Sequence, residues 1–304
     1  MKAYLLLLLT AVIFSGNIIV GKGINDLPPY TIAFFRTAIA FLVILPLGWK
    51  EVRRYKHVFV QEWKAVLGLA LTGVAFFNSF IYASLQFTST TNVAIMEASI
   101  PVVTIICSML FLHERLDKKQ WLGVVLSLGG AVWVITEGSW EVIRSLGFNT
   151  GDLIMLAAVG TWAAYSILVK IHMMKFPVYG SLVVMLAIAN IVLLPIAGFE
   201  WRLGGFPDVM QPGYMMGLLY LGIFPSLIAL TFWNKGVEEV GPSQASVFLN
   251  LLPVFVMVGS LLFLEETVTL VQLFGALVVI GGVFLTTKVS SAAGNVTRKQ
   301  IHRR

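Results

Sequence analysis

Charge is scarce in this sequence: Asp, Glu, Lys and Arg supply 12% of its 304 residues, against about 25% in soluble domains. With 58% of residues hydrophobic, the chain reads as a membrane protein. Its countable unit is the apolar span of roughly 20 residues that crosses a hydrocarbon core. Cysteine is almost absent. Cys107 stands alone inside an apolar run, so no intrachain disulfide and no Cys/His metal spacing can form. There is no phosphate-gripping P-loop, which argues against ATP as the direct driver, and no cofactor is expected. The opening MKAYLLLLLTAVIFSGN has the positive start and apolar core of a signal peptide but lacks an A-x-A-like site. It reads as a retained first span.

Cutting the chain at its charge, Gly and Pro clusters gives ten expected spans: 3–22, 29–49, 63–86, 90–112, 118–136, 151–171, 177–198, 214–234, 242–264 and 269–287. Each is expected to be a helix, because lipid offers no partner for backbone N–H and C=O groups and the strict alternation of a barrel strand is missing. With the N-terminus inside, 17 of the 21 Lys and Arg residues fall in cytoplasmic segments and three, Lys22, Arg144 and Arg202, fall outside. Cytoplasmic loops carry the excess of positive charge, so both termini are expected in the cytoplasm of a cell-membrane, multi-pass protein. The formal charge of +6 is accounted for by this topology, and nucleic acid is not an expected partner. All four histidines, His57, His113, His172 and His302, fall in or beside cytoplasmic segments, which argues against a midplane metal.

Sliding the sequence by 152 residues aligns IPVVTIICSMLFLHERLDKKQWLGVVLSLGG with LPVFVMVGSLLFLEETVTLVQLFGALVVIGG without a gap. The identities include Pro101/Pro253, Glu114/Glu266, Gln120/Gln272, Gly123/Gly275, Gly129/Gly281 and Gly130/Gly282. Apolar composition alone does not match Pro, Glu, Gln and Gly together. A weaker echo pairs the first span with the sixth. The chain therefore divides into five-helix repeats at 3–136 and 151–287, followed by a basic cytoplasmic tail at 288–304. Five is odd, so the second repeat enters the membrane from the opposite side. Inverted repeats of this kind are the architecture of secondary transporters, with the substrate site near the midplane between the halves.

The segments FLHERLDKKQWLGVVLSLGGAVWVI and FLEETVTLVQLFGALVVIGGVFL, with LPPYTIAFFRTAIAFL in the second span and STTNVAIMEASIPVV in the fourth, resemble the drug/metabolite transporter superfamily, specifically its EamA-type ten-helix branch. The resemblance covers nearly the whole chain. It implies a small-metabolite carrier, often an exporter of amino acids or related compounds. Where many relatives have Trp followed by a small residue, this chain has FSGN at 14–17.

Ionisable residues inside spans are costly and are functional candidates by default. Two lie well inside: Arg36 in the second span and Glu97 in the fourth. Both spans run inward from outside, and at ~1.5 Å rise per residue both side chains sit about 10 Å below the outer edge. Glu97 reads as a protonation site or an anchor for a substrate amine, and Arg36 as its alternate partner or an anchor for a substrate carboxylate. The plain alternative is a static pair locking two helices. Glu97 has no acidic counterpart in the second repeat, where Leu249 takes its place. Asn78 and Tyr82 share a face of the third span by their i, i+4 spacing, and Trp162 and Tyr165 cluster on the sixth. With Asn17 and Asn250 these complete the expected substrate path, although a buried amide also makes interhelical hydrogen bonds worth about 1 kcal/mol. An aromatic-lined path suits an aromatic or hydrophobic amino acid, and protons are the candidate coupling ion. A monomer or a homodimer would serve.

Two other classes compete. A membrane-embedded enzyme acting on lipid-linked substrates needs a cluster of Asp, Glu, His or Ser at one interface, and none is visible. A receptor or scaffold gains nothing from ten spans and a duplicated core.

Overall fold

The computed structural model describes residues 2–145, 147, 149–263 and 268–301, with the backbone alone at 90, 260, 263 and 288–301. Among the described residues there is no strand. The long helices are α1 (Lys2–Gly23), α2 (Pro29–Arg54), α3 (Trp63–Ser84), α4 (Thr90–Ala98 continued by Ile100–Phe111), α5 (Lys118–Ile135), α6 (Thr150–His172), α7 (Val178–Gly204), α8 (Pro212–Val240), α9 (Pro242–Val247 continued to Phe263) and α10 (Leu270–Ile301). Among the described residues nine segments are long and apolar enough to cross a membrane. The helix at the expected fifth span, α5, is not among them, because it opens on Lys118, Lys119 and Gln120. The protein is thus an all-helical, multi-pass membrane protein. The last helix runs on to Ile301 through most of the expected tail, and Glu266 lies outside the described residues.

Helix starts follow capping chemistry. Asp117 and Gln120 form a capping box at α5, as Asn149 and Asp152 do at α6, which satisfies amide donors left free in the first turn. Both prolines shared by the repeats, Pro101 and Pro253, disturb their helices: α4 breaks at Ser99 and α9 tightens into a 3₁₀ stretch, Phe248–Leu251, just before each proline. Proline supplies no N–H to the preceding turn.

Two further irregularities go beyond the sequence reading. Ala70–Phe76 in α3 and Phe224–Ala229 in α8 are wound as π-helix. In α8 the cause is Pro225: an α turn would need its N–H for the Leu221 carbonyl. The Ser226 hydroxyl supplies that bond instead, Oγ to Leu221 O at 2.8 Å.

Packing between helices is reciprocal at two places. Gly123 of α5 lies against Gly282 of α10, where a methyl group on either would meet the other's carbonyl oxygen at 2.6 Å. Gly130 meets Gly275 in the same way, at 2.9 and 3.3 Å. The glycines let the two backbones touch. Between α2 and α7 the exchange is electrostatic. Glu200 near the end of α7 accepts from the Tyr30 and Thr31 amides and the Thr31 hydroxyl, at 3.2, 2.8 and 2.9 Å, at the start of α2. Glu51 near the end of α2 accepts from the Gly180 amide, at 2.7 Å, at the start of α7. A carboxylate at a helix N-terminus meets both free amides and the positive end of the dipole. These helices also share an echo offset by 149 residues: Pro28/Pro177, Tyr30/Tyr179, Pro46/Pro195, Glu51/Glu200 and Arg53/Arg202.

A charged cavity at the centre of the bundle

A cavity of about 40 Å³ lies where α1, α2, α3, α4, α6, α8 and α9 converge. Its wall includes Asn17, Arg36, Asn78, Glu97 and Trp162, five of the eight residues singled out in the sequence. The π-wound stretches both reach it, through Gly73 and Val74 on one side and Pro225 and Ser226 on the other. So does Leu249, the repeat counterpart of Glu97.

Arg36 is buried, only 3% exposed. Its Nη1 donates to Asn78 Oδ1 at 2.9 Å and to the Tyr82 hydroxyl at 2.8 Å, and its Nε donates to Ser226 Oγ at 3.1 Å. Asn78 and Tyr82 share a helix face, and that face points at Arg36. All three partners are neutral, so the guanidinium has no countercharge among them, in a site where burying an uncompensated ion costs several kcal/mol. Its Nη2 has no partner among the described residues.

Glu97 lines the same cavity and makes no hydrogen bond or ion pair with the described residues. Among those residues the Glu62 carboxylate pairs with Lys175 at 2.6 Å, with His172 Nδ1 3.9 Å away, and neither contact is on the cavity wall. Arg36 and Glu97 thus face one space without an ion pair between them. Two of the lining residues also carry buried polar atoms without partners among the described residues, the Asn17 carbonyl oxygen and the Trp162 Nε1–H. A buried unpaired polar group costs about 1–3 kcal/mol. The residues around the cavity therefore hold two unpartnered donors, on Arg36 and Trp162, and two unpartnered acceptors, on Glu97 and Asn17.

Trp162 is the hub of an aromatic cluster. Its ring centroid lies 4.4 Å from Phe77, 5.7 Å from Phe14, 5.5 Å from Tyr165 and 5.2 Å from Trp233. Tyr165 turns from the cavity and donates to Asn234 Oδ1 at 2.5 Å. Asn250 also points elsewhere, its Nδ2 donating to Ser127 Oγ of α5 at 2.9 Å. Ser226, Phe14 and Phe77 are wall residues that the sequence reading does not single out. The Pro225–Ser226 pair inside a span is the available signal for the first, since a proline there frees a carbonyl for a neighbouring hydroxyl.

Where the C-terminal end of α3 meets the N-terminal end of α6, Asp152 is buried in a polar network. Its carboxylate accepts from Thr88 Oγ1 at 2.9 Å, from the Asn149 amide at 2.9 Å and from Asn92 Nδ2 at 3.4 Å, and Asn149 Nδ2 donates to Thr88 Oγ1 at 2.9 Å.

Comparisons with known proteins agree with this architecture. The model of the EamA-like transporter family matches residues 1–136 and 149–288. An uncharacterized transporter of Archaeoglobus fulgidus is 28% identical over 290 residues, covering 94% of this chain and 97% of that protein. The uncharacterized transporter YyaM of Bacillus subtilis is 26% identical over 294 residues, covering 93% and 95%. A crystal structure with 18% sequence identity superposes with a TM-score of 0.77 over 96% of this chain and 98% of the other, which shows a shared fold. The chain belongs to the EamA-like transporter family of the drug/metabolite transporter superfamily and is a membrane transporter of small molecules.

Proposed function

We propose that the protein is a secondary active transporter that moves a zwitterionic amino acid across the cell membrane by alternating access. The observation that carries this reading is the unpaired Arg36 and Glu97 in one cavity. The substrate carboxylate binds Arg36 Nη2 and the Trp162 Nε1–H. The ammonium binds Glu97 and the Asn17 carbonyl oxygen. An apolar or aromatic side chain lies along Phe14 and Phe77. A space of 40 Å³ holds only about three waters, so substrate enters when the bundle opens to one side. Without substrate, a proton on Glu97 takes the place of the ammonium, which makes protons the coupling ion. The direction we assign is export, as the family resemblance implies.

Several features support two inverted five-helix halves, with α5 as the fifth of ten spans. The Gly123–Gly282 and Gly130–Gly275 contacts exchange under the 152-residue offset, as expected for a pseudo-two-fold axis. The Glu51 and Glu200 caps exchange under the 149-residue offset. The π-wound stretches and the breaks before Pro101 and Pro253 also recur in both halves. In the expected topology Glu51 sits at the cytoplasmic face and Glu200 at the outer face, as inversion demands.

The test is uptake of tritiated L-phenylalanine into proteoliposomes, competed by phenethylamine and by 3-phenylpropionate, which each lack one charge. Both analogues should compete at least about 100-fold more weakly than L-phenylalanine, because each leaves a buried polar group of the site unpaired. Arg36→Ala should abolish L-phenylalanine binding. Equal competition by phenethylamine, or unchanged binding by Arg36→Ala, removes Arg36 from the carboxylate's role.

A further inference from the structure

The two π-wound stretches differ in one respect. In α8 the stretch is fixed by its sequence, because Pro225 has no N–H for the Leu221 carbonyl and its ring would press on that carbonyl in an α turn. In α3 the residues Ala70–Phe76 include no proline. Every amide needed for an α turn is present, so the stretch can rewind. The π form is held from outside, where Gly73 lies so close to the Tyr165 ring that a methyl group would overlap it.

The helix segment beyond this stretch, Phe77–Ser84, is a strut that packs along α6, Phe77 on Trp162 and Ser84 on Met155, and carries polar contacts at both ends. At its base, Asn78 and Tyr82 hold Arg36 Nη1. Just past its tip, Thr88 bonds Asp152 and accepts from Asn149, and Gly151 packs against the Ser84 carbonyl. A π turn closes on the fifth residue and an α turn on the fourth, so rewinding one turn rotates the strut by about 100°. That rotation removes two of the three neutral ligands from Arg36 and pulls the Thr88 bonds from α6 in one movement.

We propose that Ala70–Phe76 is the joint of the transport cycle: its rewinding frees Arg36 Nη1 to join Nη2 on the substrate carboxylate and releases the outer Thr88–Asp152 latch together. Ser226, fixed by Pro225, is the positioning residue that keeps the guanidinium in place while the strut turns. The role given to Arg36 rests on the zwitterion reading above. The coupling of joint to latch does not.

Deleting Thr72 removes the extra residue and lets the stretch close as α-helix with both flanks unturned, so the strut is locked. In a Cys107→Ala background, spin labels on Phe87→Cys and Met216→Cys, both exposed, report the distance between the outer ends of α3 and α8 in proteoliposomes. The parent should show two distance populations, and the Thr72 deletion only the one with the outer side closed, with L-phenylalanine counterflow reduced at least tenfold. A deletion variant that keeps both populations and parental counterflow overturns the joint. The second variant, Thr88→Val, cuts the tip without touching the cavity. It should tighten L-phenylalanine binding at least threefold, since the strut then competes less for Arg36, and unchanged affinity overturns the coupling. If Arg36→Ala binds L-phenylalanine normally, the anchor role fails by itself, and the distance populations still decide the joint.

Discussion

One helix, α2, is built by opposite rules at its ends and at its centre. Its N-terminal amides are closed by Glu200 and its own Glu51 closes α7, so the polar groups exchanged by this pair find partners on the opposite helix. Midway, the same helix carries Arg36, a buried full charge held only by neutral groups and left with a free amino group among the described residues. The contrast separates frame from site. Where partners are complete, the contact can persist through the cycle. Where they are incomplete, the missing partner is what we propose the protein binds.

The comparison can be broken at three points. Glu97→Gln keeps the size and removes the charge, and it should abolish the pH dependence of L-phenylalanine counterflow while thermal unfolding stays unchanged. Parental rate and pH profile in that variant would remove Glu97 from coupling. Gly282→Leu forces a side chain into the α5–α10 seam, where a Cβ already meets the Gly123 carbonyl oxygen at 2.6 Å. Overpacking of this kind costs about 1–3 kcal/mol, and a lowered unfolding temperature in detergent is expected, whereas Gly281→Leu, with nothing within 4 Å, should be neutral. Smallest, Glu200→Ala and Glu51→Ala each remove a cap worth about 1 kcal/mol. Glu200→Ala should cost more, because Glu200 accepts three hydrogen bonds and Glu51 one. Equal effects would mean that the bond count does not set the worth of these caps.

The sequence makes some of this readable and hides the rest for physical reasons. Hydropathy places every helix start to within two residues, because the bilayer acts on length and composition directly, whereas α2, α7, α8 and α10 run past their expected ends to Arg54, Gly204, Val240 and Ile301. Depth is also accessible: rise per residue places Arg36 and Glu97 at one level, and they line one cavity. Rotation about the helix axis is not, since it is set by packing. That is why their lack of an ion pair, and the turning of Tyr165 and Asn250 toward Asn234 and Ser127, had to come from the structure. The α2–α7 echo is hard to see because its offset is 149 residues and not 152. The π-wound stretch in α3 has no residue signal beyond Gly73, whereas the one in α8 is announced by Pro225.

The exchanged caps on α2 and α7 also bear on what counts as a folding unit. A first half by itself would start α2 with bare amides, and a second half would start α7 the same way, because each carboxylate that closes them belongs to the other. In the two-half arrangement proposed above, each half thus closes the first turn of a helix in its sibling, and the bond that joins the halves is also the bond that finishes them.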